Sequence, residues 1–271
     1  MKEKYLIFTV ILLITSLSFL SYKYINTGFF IDKGVELKGG YLITLSFSDN
    51  TNIEDIKKNI GDRCIIHTIS SAIGTQVSLE CSDINTTKLI REINLTNPIS
   101  NYEVSKIDPK ITAEILNDIS SGILFAFIAM SIIIFILFRK LVPSFAVVLC
   151  AFSDIVITLF FMNLLDIKLT LATFTGLLML IGYSVDTDIL LTTRILKDRK
   201  NFDRQYKTAL KTGLTMSATS TVALLSLLII TGYNSVFGQL ASVLIIGLLV
   251  DIPNTWIQNA SILKIYYAKN I

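Results

Sequence analysis

The sequence predicts a polytopic α-helical membrane protein with six transmembrane helices, one before and five after an α/β domain. Its 271 residues are 52% hydrophobic and only 17% charged, with a mean hydropathy of +0.63. A soluble domain carries about 25% charged residues. Six apolar stretches reach the roughly 20 residues that a helix needs to cross a hydrocarbon core of about 30 Å. These observations disfavour a water-soluble enzyme and a disordered chain.

The predicted spans fall into two groups. The first transmembrane helix is predicted in residues 1–22, and a five-helix membrane domain in residues 119–271. The five spans of that domain are predicted at residues 119–138, 141–165, 169–193, 212–230 and 236–256. Lys2 and Lys4 also suit a signal peptide, but no A-x-A-like cleavage site follows them. We therefore expect the first apolar stretch to remain as a membrane anchor.

Lysine and arginine residues mark the cytoplasmic side of a membrane protein. They are concentrated at the termini, at Arg139-Lys140 and between Arg194 and Lys211, whereas the short loops on the other side carry only Lys168. We therefore expect both termini in the cytoplasm, residues 23–118 outside it, and the chain in the cell membrane.

The polar segment between the first two spans, residues 23–118, alternates strand and helix patterns. Strands are predicted at Tyr41–Ser48, Arg63–Ser70, Thr75–Glu80 and Ile99–Ile107, and helices at Ile53–Ile60 and Asn85–Asn94. The order βαββαβ is typical of a ferredoxin-like α/β sandwich. We therefore predict an extracytoplasmic ferredoxin-like domain.

The second and third predicted strands place two cysteines opposite each other. The hairpin register that pairs Ser70 with Thr75 also pairs Cys64 with Cys81. Cysteines that face each other in an oxidising compartment can form a disulfide. Two buried free thiols are the alternative.

Several kinds of site are disfavoured by what the sequence lacks. Three cysteines and one histidine do not show the CxxC-type spacings of a conventional zinc site. The sequence has no GxxxxGKS/T nucleotide loop. A net charge of +3 is too small for a nucleic-acid footprint. We expect no cofactor, no metal, no nucleic-acid partner and no enzymatic activity.

Carboxylic acids inside the predicted spans are the most informative polar residues, because each costs roughly 2.5–3.5 kcal/mol at the bilayer centre. Asp154 lies in the third span, and Asp186 and Asp188 lie in the fourth. Either these acids hold the helices together through hydrogen bonds, or they form a proton or ion relay. Asp251 lies near the predicted end of the sixth span, so we interpret it as an interface anchor.

Helical geometry separates the two acids of the fourth span. At 100° per residue, Gly182 and Asp186 share one stripe, whereas Ser184 and Asp188 lie on another face. Because glycine has no side chain, we expect Gly182 to let a neighbouring helix approach Asp186. Asp186 is therefore the preferred relay candidate, because it lies on the face that Gly182 leaves open to a neighbour.

A second packing signal lies on the fifth span, where Gly213 begins a seam of small residues.

Two segments carry a family resemblance. The one after the first span is Gly34-Val35-Glu36-Leu37-Lys38-Gly39-Gly40, and the one in the fourth span is Leu180-Ile181-Gly182-Tyr183-Ser184-Val185-Asp186. They resemble the Gly-(Ile/Val)-(Glu/Asp)-(Phe/Leu)-x-Gly-Gly and Ile-Gly-Tyr-Ser-(Ile/Val)-(Asn/Asp) motifs of the SecD/SecF family of protein-export proteins. The plan of one span, an outer domain and five further spans is similar to that of the shorter SecF members.

The resemblance implies a function and partners. It implies membership of the RND transporter superfamily and a heterodimer with a SecD-like subunit beside the SecYE(G) channel. Such a complex uses the proton gradient to promote export of a translocating polypeptide across the lipid bilayer. Lys211 falls where many relatives have arginine, and Ser153-Asp154 falls where many have His-Asp.

One departure from the family pattern affects the choice of relay residue. Bacterial relatives usually continue the second motif with Asn-Asp-Thr, whereas this sequence reads Asp186-Thr187-Asp188. Thr187 therefore occupies the family's aspartate position, with a carboxylate on either side. This pattern is similar to the archaeal branch, and it leaves the relay open among Asp154, Asp186 and Asp188.

Three other functions remain as alternatives. A small RND-type exporter of lipids or drugs shares the membrane plan, and a passive scaffold that stabilises the translocation channel needs no relay. An intramembrane aspartyl protease needs two neighbouring acids that share one proton. The Gly-x-Gly-Asp pattern of such proteases fails at Gly182, and no Pro-Ala-Leu follows.

Overall fold

The computed structural model describes residues 4–34, 37–47, 60, 64–71, 74–81, 85–107, 109–198, 201–233 and 235–268. Helix α1 (Lys4–Thr27) comes first and is followed by an α/β unit. This unit contains β1 (Gly40–Phe47), β2 (Cys64–Ser71), β3 (Gly74–Cys81), α2 (Thr86–Thr96) and β4 (Asn101–Ile107).

Long helices make up the rest of the chain. They are α3 (Pro109–Phe138), α4 (Leu141–Leu164), α5 (Leu171–Lys197), α6 (Phe202–Thr231) and α7 (Val236–Pro253). Helix α7 continues through a π-helical turn (Asn254–Asn259) into α8 (Ala260–Ala268). With α1, the described residues contain six helical segments long and apolar enough to cross a membrane, which is the number that the sequence predicts.

The strands form one antiparallel sheet in the order β2-β3-β1-β4. The β2–β3 hairpin has the predicted register, which pairs Ser70 with Thr75 and Cys64 with Cys81. The Cα atoms of the two cysteines are 4.4 Å apart, and their sulfurs are bonded.

A small core fixes α2 against one face of the sheet. It contains buried side chains of β1, β3 and α2: Ile43, Leu45, Phe47, Val77, Leu79, Leu89 and Ile93. Asn85 caps α2 and accepts a hydrogen bond from the backbone N–H of Lys88 at 3.3 Å. The predicted helix Ile53–Ile60 lies outside the described residues except for Ile60, which is buried in this core.

The membrane helices divide into a centre and a periphery. Helices α4, α5 and α7 form the centre, whereas α1, α3 and α6 expose most of their length. Helices α5 and α7 approach closely at glycines, since a Cβ on Gly247 would lie 2.4 Å from both Cδ atoms of Leu180. Small residues permit such approaches where lipid provides no hydrophobic driving force between helices.

Two helices begin earlier than the predicted spans. Helix α3 begins at Pro109 rather than at residue 119, and α6 begins at Phe202 rather than at residue 212. Hydropathy marks only the apolar part of a helix. The polar residues Asp203 and Lys207 continue the same helix, because no proline or glycine interrupts the segment.

The sixth span also continues beyond its predicted end, and Pro253 explains its irregular shape. Proline has no backbone N–H, and its ring crowds the carbonyl one turn earlier. The helix widens here into the π-turn rather than ending, and such turns are frequent at functional sites. This turn brings four polar side chains into the centre of the bundle: Asn254, Thr255, Gln258 and Asn259.

Candidate functional site

Three carboxylates, one from each central helix, meet beside the π-turn. Asp154 of α4, Asp188 of α5 and Asp251 of α7 are each 0% exposed. We call these three residues the carboxylate cluster. Because the helices that carry them are packed together, each acid is surrounded by protein rather than by lipid.

Asp154 joins all three central segments. Its Oδ2 accepts a hydrogen bond from the Ser184 hydroxyl of α5, and its Oδ1 accepts one from Asn254 Nδ2 of the π-turn at 2.6 Å. Both oxygens of Asp154 are therefore occupied by donors from neighbouring helices.

Asp251 lies between α5 and the π-turn. Its Oδ1 accepts a hydrogen bond from Thr255 Oγ1 at 2.8 Å, and its Oδ2 lies 3.0 Å from Thr187 Oγ1. The same Thr187 hydroxyl is 2.8 Å from the carbonyl oxygen of Ser184. Since a hydroxyl has a single proton, Thr187 donates either to Asp251 or to that carbonyl. A proton on Asp251 would point the carboxyl O–H at Thr187, so the site accommodates both charge states.

Asp188 is the least satisfied member of the carboxylate cluster. Its Oδ1 accepts a hydrogen bond from Asn259 Nδ2 at 2.7 Å. Its Oδ2 has no hydrogen-bond partner among the residues that the structure describes. A buried oxygen without a donor is unfavourable for a carboxylate, so Asp188 has the weakest hydrogen-bond support of the three acids.

The amides of the π-turn add further unpaired acceptors. Gln258 Nε2 donates to Ser153 Oγ at 3.0 Å, but its Oε1 has no partner in the described part of the chain. The same holds for Asn254 Oδ1 and Asn259 Oδ1. Each of these amides therefore leaves its oxygen without a partner among the described residues.

Among the described residues, no positive side chain compensates the carboxylate cluster. In the part of the chain that the structure describes, no lysine, arginine or histidine forms an ion pair with its members. No group of three acidic, histidine or cysteine side chains among these residues is arranged to hold a metal ion. Isolated charges are very unfavourable in a buried, low-dielectric site. Three negative charges at these positions would therefore be very unfavourable.

A second polar site lies at the opposite end of α5. The backbone N–H of Gly34 donates to the carbonyl of Leu169 at 2.8 Å, and the N–H of Leu169 donates to the carbonyl of Asp32 at 2.7 Å. Thr170 caps α5 and donates to Gln239 Oε1 of α7 at 2.8 Å. A Cβ on Gly34 would lie 2.8 Å from Thr170 Cγ2, so only glycine fits without displacement. We call Asp32, Gly34, Leu169 and Thr170 the outer anchor.

Charged residues strengthen the outer anchor. Lys23 of α1 forms an ion pair with Asp32 at 2.6 Å and donates to the side-chain oxygen of Asn163 at the end of α4. Partial burial and, to a smaller extent, the charge of Lys38 lower the pKa of Lys33. The segment that leads into β1 is thereby fixed to the ends of α1, α4 and α5.

Comparison with known proteins identifies the family. The family described as "Protein export membrane protein SecD/SecF, C-terminal" matches residues 87–269. The protein-export membrane protein SecF of Pyrococcus furiosus is 40% identical over 98% of this chain and 92% of its own length. The chain belongs to the SecD/SecF family. The SecF of Methanocaldococcus jannaschii is 39% identical over 87% of each chain.

Solved structures show the same fold at low sequence identity. SecDF from Thermus thermophilus matches with a TM-score of 0.72 at 18% identity over 97% of this chain. A heavy metal efflux pump matches with a TM-score of 0.51 at 13% identity over 71% of this chain. This chain spans 37% of the length of the SecDF chain and 20% of that of the pump.

The curated relatives above are archaeal SecF proteins, which confirms the predicted branch.

The SecD/SecF-family motifs lie in two places in this chain. Leu180, Ser184 and Thr187 of the second motif and its extension face the bundle interior. In the first motif, Gly34 lies in the outer anchor, and Gly39 and Gly40 have φ of 81° and 147° where the chain turns into β1. Glu36 of this motif lies outside the described residues.

The structure separates Asp186 from the other predicted acids. Asp154, Asp188 and Ser184 are buried together, whereas Asp186 and Gly182 lie on the exposed face of α5. A Cβ on Gly182 would have no neighbour within 4 Å. The predicted approach of a neighbouring helix to Asp186 at Gly182 is therefore not made by any described helix of this chain. Helix α7 packs instead on the face that contains Gly176 and Leu180.

Lys211 is exposed near the start of α6 and forms no ion pair with the carboxylate cluster. The small-residue seam of α6 does pack as predicted at Gly213, where a Cβ would lie 2.2 Å from Trp256 Cζ2. Helix α6 therefore contacts the π-turn through Trp256 rather than through Lys211.

Asp251 is the site residue that the sequence reading missed. Its interpretation as an interface anchor is wrong, because the helical span does not end at residue 256 but continues to Ala268. Asp251 therefore lies inside a longer span and is fully buried. The run of amide residues that follows Pro253, Asn254-Thr255-Trp256-Ile257-Gln258-Asn259, was the available signal.

Proposed function

We propose that the protein is the SecF subunit of the Sec protein-export machinery and acts with a SecD-like subunit to promote movement of polypeptides across the cell membrane. Family membership and the curated relatives named SecF support this role. The single observation that carries a mechanism is the carboxylate cluster, which is buried, shared by three helices and without a compensating cation.

We infer that the carboxylate cluster couples the proton gradient to helix movement. Protonation removes a buried negative charge and changes which groups donate hydrogen bonds to Asp188 and Asp251. Because these acids belong to α5 and α7, a change in their bonding alters the contact between the two helices. One elementary charge that crosses about 100 mV supplies about 2.3 kcal/mol, which is enough to shift a two-state equilibrium roughly fiftyfold.

The outer anchor is suited to transmit this movement to the α/β unit. It connects the cap of α5, the helix that carries Asp188, to the segment before β1. The strand order β2-β3-β1-β4 supports a ferredoxin-like domain. By the distribution of lysine and arginine, this domain faces outward and both termini face the cytoplasm. There it would meet polypeptides that leave the SecYE(G) channel.

The exposed face of α5 supports a SecD-like partner. Thr175, Gly182, Tyr183 and Asp186 lie on this face without cover from the chain itself. An exposed aspartate in lipid costs roughly 2.5–3.5 kcal/mol, so a polar surface of another protein is the favoured neighbour. The SecDF relative, of which this chain spans 37%, has ample further length for such a surface. A helix of the SecD-like subunit would then make the close approach to Asp186 that Gly182 permits.

An export assay tests the proposal. Proteoliposomes that contain this chain, its SecD-like partner and the channel would be given a proton gradient, and protected preprotein would be measured. Asp188→Asn and Asp251→Asn should lose most of the gradient-dependent stimulation while the complex still assembles. Asp203→Asn, at an exposed position in the first turn of α6, is the matched control and should retain it.

A passive scaffold is the second candidate, and one observation favours it. Asp154 hydrogen-bonds to both α5 and the π-turn, as expected of an acid that simply joins helices. At Asp188 and Asp251, asparagine keeps the one acceptor oxygen that Asn259 or Thr255 needs but has no titratable proton. Full gradient stimulation in the Asp188→Asn/Asp251→Asn double variant would therefore exclude a relay through these two acids and support the scaffold.

A further inference from the structure

An open cavity of about 430 Å³ lies at one end of the bundle, where α3 and α5 end and α4 begins. It is remote in sequence and in the fold from the outer anchor. Its lining combines apolar side chains with two lysines and a hydroxyl: Leu137, Phe138, Lys140, Thr193, Leu196 and Lys197. This combination is typical of a site for an amphiphile with a negative headgroup.

Positive charge converges on the cavity from two helices. Lys197 is exposed in the last turn of α5, and Lys140 is half-buried directly before α4. Helix α4 has no side-chain cap at its first turn, so the positive end of its dipole adds to the field of Lys140. None of the six lining residues is acidic. Asp198 follows Lys197 and keeps its negative charge, but hydrogen bonds from Asn201 and Gln205 hold its carboxylate toward the start of α6.

The apolar side of the cavity lies at the surface that faces lipid. Leu137 is 54% exposed, and the neighbouring Leu141 is 76% exposed. Helices α3 and α5 both end here after apolar spans, so the cavity lies at the boundary between hydrocarbon and headgroups. A soluble anion would use the lysines but would leave the apolar wall without a function.

We propose that this cavity binds an anionic phospholipid, with the headgroup phosphate between Lys140 and Lys197 and an acyl chain along Leu137 and Leu196. Basic pockets between transmembrane helices are a known way of binding such headgroups. The cavity volume also lies within the range of small-molecule sites, about 300–1,000 Å³. The bound lipid would connect the beginning of α4 to the end of α5, which are the helices that carry Asp154 and Asp188.

Lipid titration of the detergent-solubilised full chain, followed by native mass spectrometry, tests the proposal. Phosphatidylglycerol should bind more tightly than phosphatidylcholine. Lys140→Gln with Lys197→Gln should weaken phosphatidylglycerol binding about 30-fold, at roughly fivefold for each lysine. Lys207→Gln with Lys211→Gln, which removes two exposed lysines of α6 outside the cavity, is the matched control and should change it little.

Three results would overturn the proposal. The first is equal binding of both lipids, and the second is an equal loss in the Lys207/Lys211 control, which would show a diffuse charge effect. The third concerns the source of the phosphate. If inorganic phosphate competes fully with the lipid and Leu137→Gln leaves lipid binding unchanged, the cavity is a site for a soluble anion. If the double variant does not fold, Lys197→Gln alone, at an exposed position, should still weaken binding about fivefold.

Discussion

Thr187 shows how a single hydroxyl connects two helices at the carboxylate cluster. It occupies the position where bacterial relatives carry aspartate, and its hydroxyl lies within hydrogen-bond distance of both Asp251 and the carbonyl of Ser184. Thr187 is therefore not an acid itself but a hydrogen-bond partner of Asp251, an acid of α7.

Removing this hydroxyl should destabilise the bundle. Thr187→Val keeps the shape of the side chain but leaves Asp251 with one donor fewer, and an unsatisfied buried group costs about 1–3 kcal/mol. Thermal unfolding in nanodiscs measures the loss. Thr187→Ser retains the hydroxyl, so its free energy of unfolding should fall by no more than about 0.5–1.5 kcal/mol relative to the wild type. Equal stability of the Val and wild-type proteins would show that Asp251 does not depend on Thr187.

Sequence reasoning found only part of the site at the residue level. Asp154, Ser184 and Asp188 were identified because an acid or a hydroxyl within an apolar span is conspicuous. Asp251 was missed because the apolar stretch ends at residue 256, only five residues later, whereas the helix continues to Ala268. Asp186 was misjudged because a glycine four residues earlier indicates a packed face but does not indicate which protein packs there.

At the scale of helices, the contact between α5 and α7 determines the geometry of the carboxylate cluster. The contact is close because Gly247 leaves room for Leu180, which is completely buried. Asp188 and Asp251 lie on the same two helices. Any change in the distance between α5 and α7 should therefore change how the two acids are bonded.

Gly247→Ala should separate these helices. Its Cβ would lie 2.4 Å from both Cδ atoms of Leu180 and 2.9 Å from Cγ, and overpacking of a buried contact costs about 1–3 kcal/mol. Gly182→Ala, on the exposed face of α5, should be neutral or stabilising by up to about 1 kcal/mol in the isolated chain. Unfolding of both variants in nanodiscs gives the comparison.

A double-mutant cycle separates this contact from general helix effects. Leu180→Ala removes the clashing atoms, so Gly247→Ala should be tolerated better in that background than in the wild type. Additive losses would show that the two residues do not interact and that another contact sets the spacing of α5 and α7.

At the scale of the whole molecule, the exposed polar face of α5 indicates that the folded chain is only part of a working assembly. Gly182→Leu should leave the unfolding of the isolated chain unchanged within about 1 kcal/mol, because no other described element of the chain lies within 4 Å of its Cβ. The same change should reduce co-purification with the SecD-like subunit, since a side chain would block the approach of its helix. Normal yield of the complex would place the partner elsewhere.

Much of the architecture could be predicted because hydropathy, charge distribution and strand alternation are local signals. The six spans and the register of the β2–β3 hairpin were obtained in this way. The π-turn and the π-turn amides at the cluster could not be predicted, because both depend on how α7 packs against α4 and α5. The outer anchor was visible only as a glycine motif until Leu169 and Thr170 were placed beside it.

Infrared spectroscopy of the carboxyl groups tests the central claim most directly. Three buried acids without a cation should hold at least one proton near neutral pH, because three negative charges are too unfavourable in this environment. The wild-type protein in nanodiscs should therefore show a protonated-carboxyl C=O band that is weakened or lost in Asp154→Asn, Asp188→Asn or Asp251→Asn but not in Asp203→Asn. A spectrum without any protonated carboxyl at neutral pH would contradict the account.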